Sequence, residues 1–378
     1  MNISVPKMLS GFFNTAAAGK PEFATKNIEF KVNNFDLLRL IAATEVIFDH
    51  SIHHLHIPIS LLGLKILYLF PGVKMFFVIS GYLISASFER NNSLKDYFRN
   101  RALRIFPGLW ACVFLTIIVI SITGVSFLNK QVIAWLPCQL VGIIYTPQFL
   151  SNYGFGSYNG SLWTIPIELQ FYLLLPLIYF LVPKTRLNKL FFALLAIFVA
   201  LSCAYQLSNS SYLVAKLIRY SFVPHFYVFL IGVLFQRLHL YKSPLIYKKG
   251  LYWVVGYIAI NLTLAGNINP VAFEFIYTFL LAFCVLSMAY TLPRLSKQLL
   301  RTNDISYGIY MYHGLILTVI IQLRLAMPVY MVVILSYILG LLSWTFVEKQ
   351  FIQRKKKTIR ATVDTPLPAA PAPNLSLE

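Results

Sequence analysis

The chain has 378 residues, of which 58% are hydrophobic and 16% aromatic, and its formal net charge is +19. This composition excludes a water-soluble globular protein, because apolar runs long enough to cross a bilayer occupy most of the length. The positive charge does not indicate a nucleic-acid-binding protein, since the bases are concentrated in short loops between the apolar runs, as in the cytoplasmic loops of membrane proteins.

Ten apolar segments predict an all-α polytopic membrane protein with about ten transmembrane helices. In chain order they are Phe35–Leu55, Gly72–Phe88, Leu103–Gly124, Leu162–Val182, Leu190–Leu207, Leu217–Gln236, Leu251–Gly266, Val271–Leu292, Ile305–Leu323 and Val329–Val347. An eleventh apolar segment, Val132–Phe149, is interrupted by Pro137 and Pro147. If it crosses the membrane, the basic loops Lys184–Lys189 and Arg237–Lys249 fall outside the cell. Basic loops favour the cytoplasm, so we predict ten crossings, both termini in the cytoplasm, and a re-entrant or interfacial Val132–Phe149.

Two flanking segments surround the predicted membrane domain, which comprises residues 35–351. We expect residues 1–34 to form a cytoplasmic or interfacial arm, because they are polar and lack the apolar core of a cleavable signal peptide. Residues 352–378 begin with a basic run and become rich in Pro and Ala, a composition typical of a disordered tail.

The first predicted span carries Arg39 and His50, eleven residues apart. At ~100° per residue they share one helix face, roughly 16 Å apart along the axis. Ionisable residues at membrane depth usually face a bundle interior or a polar cavity. The predicted topology places Arg39 near the cytoplasmic surface, and it places His50 and Glu168 at a similar depth in the outer part of the membrane. An imidazole and a carboxylate at one depth suit general acid–base chemistry.

A basic hinge between the second and third spans contains Arg99, Arg101 and Arg104. Arg101 and Arg104 are i,i+3 neighbours if the third helix begins there. Paired guanidinium groups suit bidentate binding of phosphate. The alternative interpretation is that these charges only anchor a helix end at the membrane surface, and composition alone favours that alternative.

No metal site is expected. His50 and His54 have the i,i+4 spacing of a ligand pair, but no third ligand is indicated. The four cysteines lie in or beside apolar segments and lack metal-binding or redox spacing, so we interpret them as packed thiols.

Five sequence blocks that contain these residues resemble motifs of the membrane-bound acyltransferase-3 family, whose members commonly O-acetylate bacterial surface glycans. In chain order the blocks are FDLLRLIAATEVIFDH, FFVISGYLI, FRNRALRIFPGLW, NGSLWTIPIELQFYLLLP and SYGIYMYHG. The residues that carry the match are Asp36, Arg39, His50, Phe76, Phe77, Ser80, Gly81, Tyr82, Arg101, Arg104, Pro107, Trp163, Glu168, Phe171, Tyr172, Tyr307, Tyr310 and His313. Two positions depart from the family pattern. Lys74 stands where the FF block is often preceded by Asp. Gln350 follows Glu348 and Lys349 where the family often has a Glu-Arg-Pro ending.

The resemblance implies acetyl-CoA as the acyl donor, bound from the cytoplasm, and a hydroxyl of a glycan or lipid-linked saccharide as the acceptor. It implies a multi-pass protein of the bacterial inner membrane, surrounded by membrane lipids, with no nucleic-acid partner. The residues expected to hold the CoA phosphates are Arg39, Arg99, Arg101 and Arg104. Because the chain ends soon after the last predicted span, we expect the membrane domain itself to complete the transfer.

The resemblance also implies catalytic roles. We expect His50 to act as general base, or less favourably to carry the acyl group, and Glu168 to orient or charge-stabilise its imidazole. His313, Ser80 or Tyr310 would donate to the developing oxyanion. Substrate binding or support is expected of Asp36, Ser80, Trp163, Tyr172 and Tyr310.

The alternative function is a proton-coupled transporter or flippase of an acidic or lipid-linked solute. Intramembrane Arg, His and Glu would then be substrate and proton sites. The sequence shows no inverted repeat, which counts against this alternative. Binding of CoA discriminates between the two, because only the enzyme needs it.

Overall fold

The protein is all-helical over the residues that the computed structural model describes, which are 30, 32–90, 93–208, 212–301 and 303–353. We number the α-helices in chain order as α1 Phe35–His54, α2 Leu61–Leu67, α3 Gly72–Arg90, α4 Leu94–Ile122, α5 Gln131–Leu140, α6 Thr164–Leu181, α7 Leu187–Leu207, α8 Tyr212–Arg219, α9 Phe226–Arg237, α10 Gly250–Leu264, α11 Pro270–Ala289, α12 Leu295–Leu300, α13 Ser306–Gln322 and α14 Val329–Ser343. A π-helical turn, Trp344–Glu348, follows α14. Nearly all of the predicted arm and tail lie outside the described residues, so their expected states stay predictions.

Six helical stretches of the described chain are long and apolar enough to cross a membrane. They are Leu61–Arg90, Leu94–Ile122, Gly160–Leu181, Lys184–Leu207, Pro270–Ala289 and Val329–Gln353. Helix α1 has 20 residues but carries Asp36, Arg39, Glu45 and Asp49, which makes it more polar than these six. Helices α10 and α13 are apolar but have only 15 and 17 residues. The ten crossings and the cytoplasmic termini therefore stay predictions.

The predicted span Leu217–Gln236 is wrong as a continuous helix, because α8 and α9 are separate there. Pro224 has no backbone N–H to donate, and it disfavours the helical conformation in the residue before it. The Ser221 hydroxyl stabilises the break, since it donates to the carbonyl of Ile218 at 2.7 Å and accepts from the backbone N–H of Val223 at 3.3 Å. Hydropathy alone does not detect such an interruption.

The eleventh apolar segment, Val132–Phe149, forms only the ten-residue helix α5 followed by turns. A helix of this length is about 15 Å long, half the thickness of the hydrocarbon core. Trp135 anchors the segment, because its ring is fully buried and lies 5.4 Å from that of Tyr158, centroid to centroid. The segment therefore forms no spanning helix, which is consistent with the re-entrant or interfacial interpretation.

Helices α3 and α9 pack backbone to backbone near the centre of the protein. A Cβ added to Gly81 would lie 2.0 Å from the carbonyl oxygen of Phe229, and one added to Gly232 would lie 2.1 Å from that of Val78. Glycine is required at both positions because any side chain would push the helices apart. This contact fixes α3, which carries the FF block and forms one side of the site described below.

Gly81→Ala is expected to lower the thermal midpoint of the purified protein markedly. Overpacking typically costs about 1–3 kcal/mol, and here the obstacle is backbone, which cannot rotate away. Gly256→Ala on α10 is the matched control, since a Cβ there would meet nothing within 4 Å. Thermal unfolding of both variants in one detergent checks this, and equal midpoints would contradict the packing argument.

Candidate active site

Two cavities lie between the helices and share a wall. The arginine cavity has a volume of about 320 Å³, and its lining includes Arg39, Arg90, Arg101, Arg104, Glu168 and Asp304. The histidine cavity has a volume of about 390 Å³, and its lining includes His50, Lys74, Trp163, Arg219, His225 and Glu274. Val73 and Phe77, both on α3, line both cavities and so form the wall between them.

A single carboxylate holds two guanidinium groups in the arginine cavity. Oδ2 of Asp304 lies 2.6 Å from Nη2 of Arg104 and 3.4 Å from Nη1 of Arg39. Its Oδ1 accepts a hydrogen bond of 2.6 Å from the hydroxyl of Ser306, the first residue of α13. The predicted Asp36 also reaches Arg39, at 3.4 Å. This network joins α1, α4 and the start of α13.

Arg101 lines the same cavity and has one donor without a partner. Its Nε is buried and has no hydrogen-bond partner among the described residues. Its guanidinium lies over the ring of Tyr172, 5.7 Å from the centroid. The predicted Arg99 does not line the cavity and is exposed. Two residues correspond to about 200° on a helix, so α4 directs Arg99 and Arg101 to opposite sides.

The charge of the arginine cavity suits an anionic ligand. Four guanidinium groups line it, because Arg90 at the end of α3 takes the place expected of Arg99. Two carboxylates, those of Glu168 and Asp304, face them. The excess of positive charge, together with the free donor on Arg101, makes phosphate a well-matched ligand.

Glu168 lies in the arginine cavity and not beside His50. Its carboxylate accepts a hydrogen bond from the hydroxyl of Tyr172, one turn later on α6. Among the described residues, no hydrogen bond joins Glu168 to His50, and the two line different cavities. Glu168 therefore does not orient the imidazole by a direct hydrogen bond, and its expected charge stabilisation of His50 stays a prediction. Equal depth in the membrane does not bring two helices together, and the helix that contacts His50 is α13, through His313.

His50 pairs with a second histidine. Nδ1 of His50 lies 3.0 Å from Nε2 of His313, and the ring centroids are 5.0 Å apart. His313 is completely buried, whereas His50 also lines the histidine cavity. In a neutral pair one imidazole donates and the other accepts, so Nδ1 of His50 is occupied by His313. Its Nε2 is the nitrogen left to act on a substrate.

Tyr310 connects this pair to the arginine cavity. It lies one turn before His313 on α13, with ring centroids 5.7 Å apart, and it lines the arginine cavity. Its hydroxyl is 2.9 Å from that of Thr164, where α6 begins. The predicted Ser80 lines the same cavity. Ser80 and Tyr310 therefore lie on the arginine-cavity side of the wall, and His50 lies on the histidine-cavity side.

Trp163, also predicted from its motif, lies in the histidine cavity with its ring centroid 5.6 Å from that of His225. Nε2 of His225 is 2.9 Å from the carbonyl oxygen of Arg219 and thereby gives that carbonyl a hydrogen-bond partner at the break between α8 and α9.

Asp304 is the main residue that the sequence motifs did not indicate. A signal for it existed, because the chain has only 13 acidic residues and this one stands two positions before the SYGIYMYHG block.

The described residues contain no group of three or more His, Cys, Asp or Glu side chains that could hold a metal ion. The side chains that line the two cavities supply arginine, histidine, carboxylate and hydroxyl groups. An anion-binding cavity and a second polar cavity that meet at an imidazole pair can bring an anionic donor and a polar acceptor to one general base.

Comparison with known proteins gives one family. Residues 32–348 match the model of the acyltransferase-3 family, described as an acyltransferase domain. No solved structure matches the chain.

Three curated relatives illustrate the similarity. Nodulation protein 10 of Rhizobium leguminosarum bv. viciae is 34% identical over 319 residues, which cover 77% of this chain and 84% of that protein. An O-acetyl transferase of Shigella phage Sf6 is 28% identical over 341 residues, covering 86% of this chain and 97% of that protein. The peptidoglycan O-acetyltransferase OatA of Listeria monocytogenes is 31% identical over 123 residues, 28% of this chain and 19% of that protein.

Proposed function

The chain belongs to the acyltransferase-3 family, and we propose that it is a membrane O-acetyltransferase that moves an acetyl group from acetyl-CoA to a hydroxyl of a bacterial surface glycan. The observation that carries the proposal is the His50–His313 pair beside the wall between an arginine-lined cavity and a second polar cavity. The family assignment favours an enzyme over a transporter. A multi-pass protein of the bacterial inner membrane is the setting in which both substrates can reach it.

The arginine cavity is the proposed donor site. Arg101 offers a buried Nε that is free of partners, and Arg104 is held in place by Asp304. These groups suit the phosphates of CoA. Binding there would direct the thioester towards Ser80 and Tyr310, on the donor side of the wall. The acceptor hydroxyl would enter through the histidine cavity.

The reaction needs one base and one oxyanion donor. Nε2 of His50 takes the proton of the acceptor hydroxyl as its oxygen bonds to the thioester carbonyl carbon. The C–S bond then breaks, and the CoA thiolate leaves and takes up the proton from the imidazolium. Tyr310 or Ser80 donates to the carbonyl oxygen while it carries negative charge. His313 is a positioning residue, because it acts through the ring of His50.

His313→Ala is expected to lower kcat about 10- to 100-fold, since a misplaced base loses much of its effect, and to leave the acetyl-CoA KM unchanged. His313→Gln, which keeps a hydrogen-bonding group, should recover part of the rate. The pH dependence of kcat should shift in His313→Ala, because the partner of the base is gone. An unchanged pH profile with a lowered melting temperature would instead indicate a purely structural histidine.

The function is tested with purified protein in nanodiscs, acetyl-labelled acetyl-CoA and a membrane extract that contains the acceptor glycans. We expect label in saccharide and release of free CoA in equal amounts. A folded, monodisperse protein that binds no acetyl-CoA would contradict the enzyme and favour the transporter.

A further inference from the structure

The interruption between α8 and α9 lies inside an apolar segment and is held by side chains of other helices. Gln170 on α6 accepts a hydrogen bond of 2.9 Å from the backbone N–H of Phe222. The Ser202 hydroxyl on α7 donates to the carbonyl of Pro224 at 3.2 Å. Non-helical backbone at membrane depth is tolerated only where protein surrounds it or where it lines a cavity. This interruption lines the histidine cavity, through Pro224 and His225.

His225 uses one ring nitrogen to satisfy the backbone and leaves the other without a partner. Its Nε2 lies 2.9 Å from the carbonyl oxygen of Arg219. Because a carbonyl only accepts, Nε2 carries the hydrogen, and Nδ1 of the neutral ring is then an acceptor. Nδ1 has no hydrogen-bond partner among the described residues and is not enclosed by protein atoms. The histidine cavity therefore contains an acceptor nitrogen that no described residue uses.

Two aromatic rings hold this imidazole in place. The ring centroid of His225 lies 5.7 Å from that of Phe77 and 5.6 Å from that of Trp163. Phe77 belongs to the wall between the two cavities, so His225 lies against the layer where donor and acceptor have to meet. His50 lines the same cavity. A molecule that presents one hydroxyl to His50 is therefore held in the cavity that also contains the unused nitrogen of His225.

We propose that Nδ1 of His225 binds the acceptor by accepting a hydrogen bond from a second hydroxyl or N–H group, beside the hydroxyl that is acetylated. His225 would then determine acceptor specificity, whereas His50 acts on the reacting hydroxyl. This inference rests on the proposed function and specifies what the acceptor must carry. A site that binds such a second group rejects compounds that lack it, because its own polar atom is then left unpaired. A simple alcohol with a single hydroxyl should therefore be a poor acceptor.

Glutamine and asparagine separate the roles of the two ring nitrogens. The side-chain amide of glutamine takes approximately the place of Nε2, and that of asparagine takes approximately the place of Nδ1. His225→Gln therefore keeps a donor for the carbonyl of Arg219 but loses the acceptor in the cavity. His225→Asn keeps that acceptor but loses the bond to the backbone. A histidine that only supports the backbone is replaced better by glutamine, and one that binds the acceptor is replaced better by asparagine.

The experiment measures how much acceptor each variant needs. Purified proteins in nanodiscs receive saturating acetyl-labelled acetyl-CoA and a dilution series of the membrane extract that contains the acceptor glycans. We expect His225→Gln to need about tenfold more extract for half-maximal transfer, the effect of one lost hydrogen bond to a fixed group. Its acetyl-CoA KM and thermal midpoint should match the wild type. His225→Asn should come closer to the wild type in transfer but unfold at a lower temperature.

Gln170→Ala is the matched control, because it removes a different hydrogen bond of the same interruption and Gln170 lines neither cavity. It should lower the thermal midpoint and leave the half-maximal extract concentration unchanged. The inference would be overturned, and the enzyme kept, by wild-type extract dependence in His225→Gln or by an equal shift in Gln170→Ala. Absence of any label above His50→Ala in the wild type would reject the enzyme and with it the role of His225.

Discussion

Replacing His50 with alanine is expected to abolish measurable acetyl transfer, with a loss of about 100- to 10,000-fold in kcat. General bases contribute a factor of this size. The loss should fall on kcat and not on donor affinity, because His50 lines the histidine cavity whereas the arginines that would hold CoA line the other. The measurement is the release of free CoA with saturating acceptor, beside direct binding of acetyl-CoA to the same preparation.

His53→Ala supplies the control for His50→Ala. His53 lies on the same helix, but its half-exposed side chain contacts Asp49 and the hydroxyl of Tyr68 and does not reach His313. It should retain nearly full activity. If His50→Ala kept wild-type turnover in a folded state, His50 could not be the base, and the acceptor would have to be deprotonated elsewhere.

Replacing Arg104 with alanine is expected to weaken acetyl-CoA binding about 10- to 100-fold. A hydrogen bond to a charged group contributes about 1.5–3 kcal/mol, and each 1.4 kcal/mol is a factor of ten. The same substitution removes the closer ion-pair partner of Asp304, whose side chain is only 12% exposed. The variant should therefore also lose stability, by up to about 3 kcal/mol, because a largely buried carboxylate is left with only Arg39 at 3.4 Å.

A double substitution separates the two effects of Arg104. Arg104→Ala combined with Asp304→Asn should recover thermal stability without recovering donor affinity. Arg99→Ala is the matched single control, because Arg99 lies on the same helix outside the cavity. If all three variants bound acetyl-CoA as the wild type does, the arginine cavity could not be the donor site.

The part of the site that depends on local periodicity could be predicted from the sequence. Arg39 and His50 both lie on α1, and each lines one of the cavities, because an eleven-residue spacing fixes their relative direction wherever the helix packs. Arg101 and Arg104 meet in one cavity for the same reason. Arg99 could have been excluded by the same argument once the helix was known to begin at Leu94.

The part that depends on how helices are arranged could not be predicted. His313 lies 263 positions from His50, and only the packing of α13 on α1 brings the rings together. Predicted depth in the membrane suggested that Glu168 lies beside His50, but Glu168 lines the arginine cavity and His50 contacts His313. Depth alone does not determine on which side of the helix bundle a residue lies. The position of Asp304 next to a motif could be seen in the sequence, but its role could not, because that role comes from Arg39 and Arg104 on other helices.

The wall formed by Val73 and Phe77 has a consequence for the membrane as an electrical insulator. Polar groups line the cavities on both sides of these two apolar side chains, so the layer between the cavities is thin at this point. Val73 and Phe77 therefore separate the two cavities where these meet. If CoA binds from the cytoplasm, as the sequence predicts, only an acetyl group would have to pass this layer at each turnover, while CoA and ions would stay on their own sides. The cell could then modify its exterior without discharging its membrane.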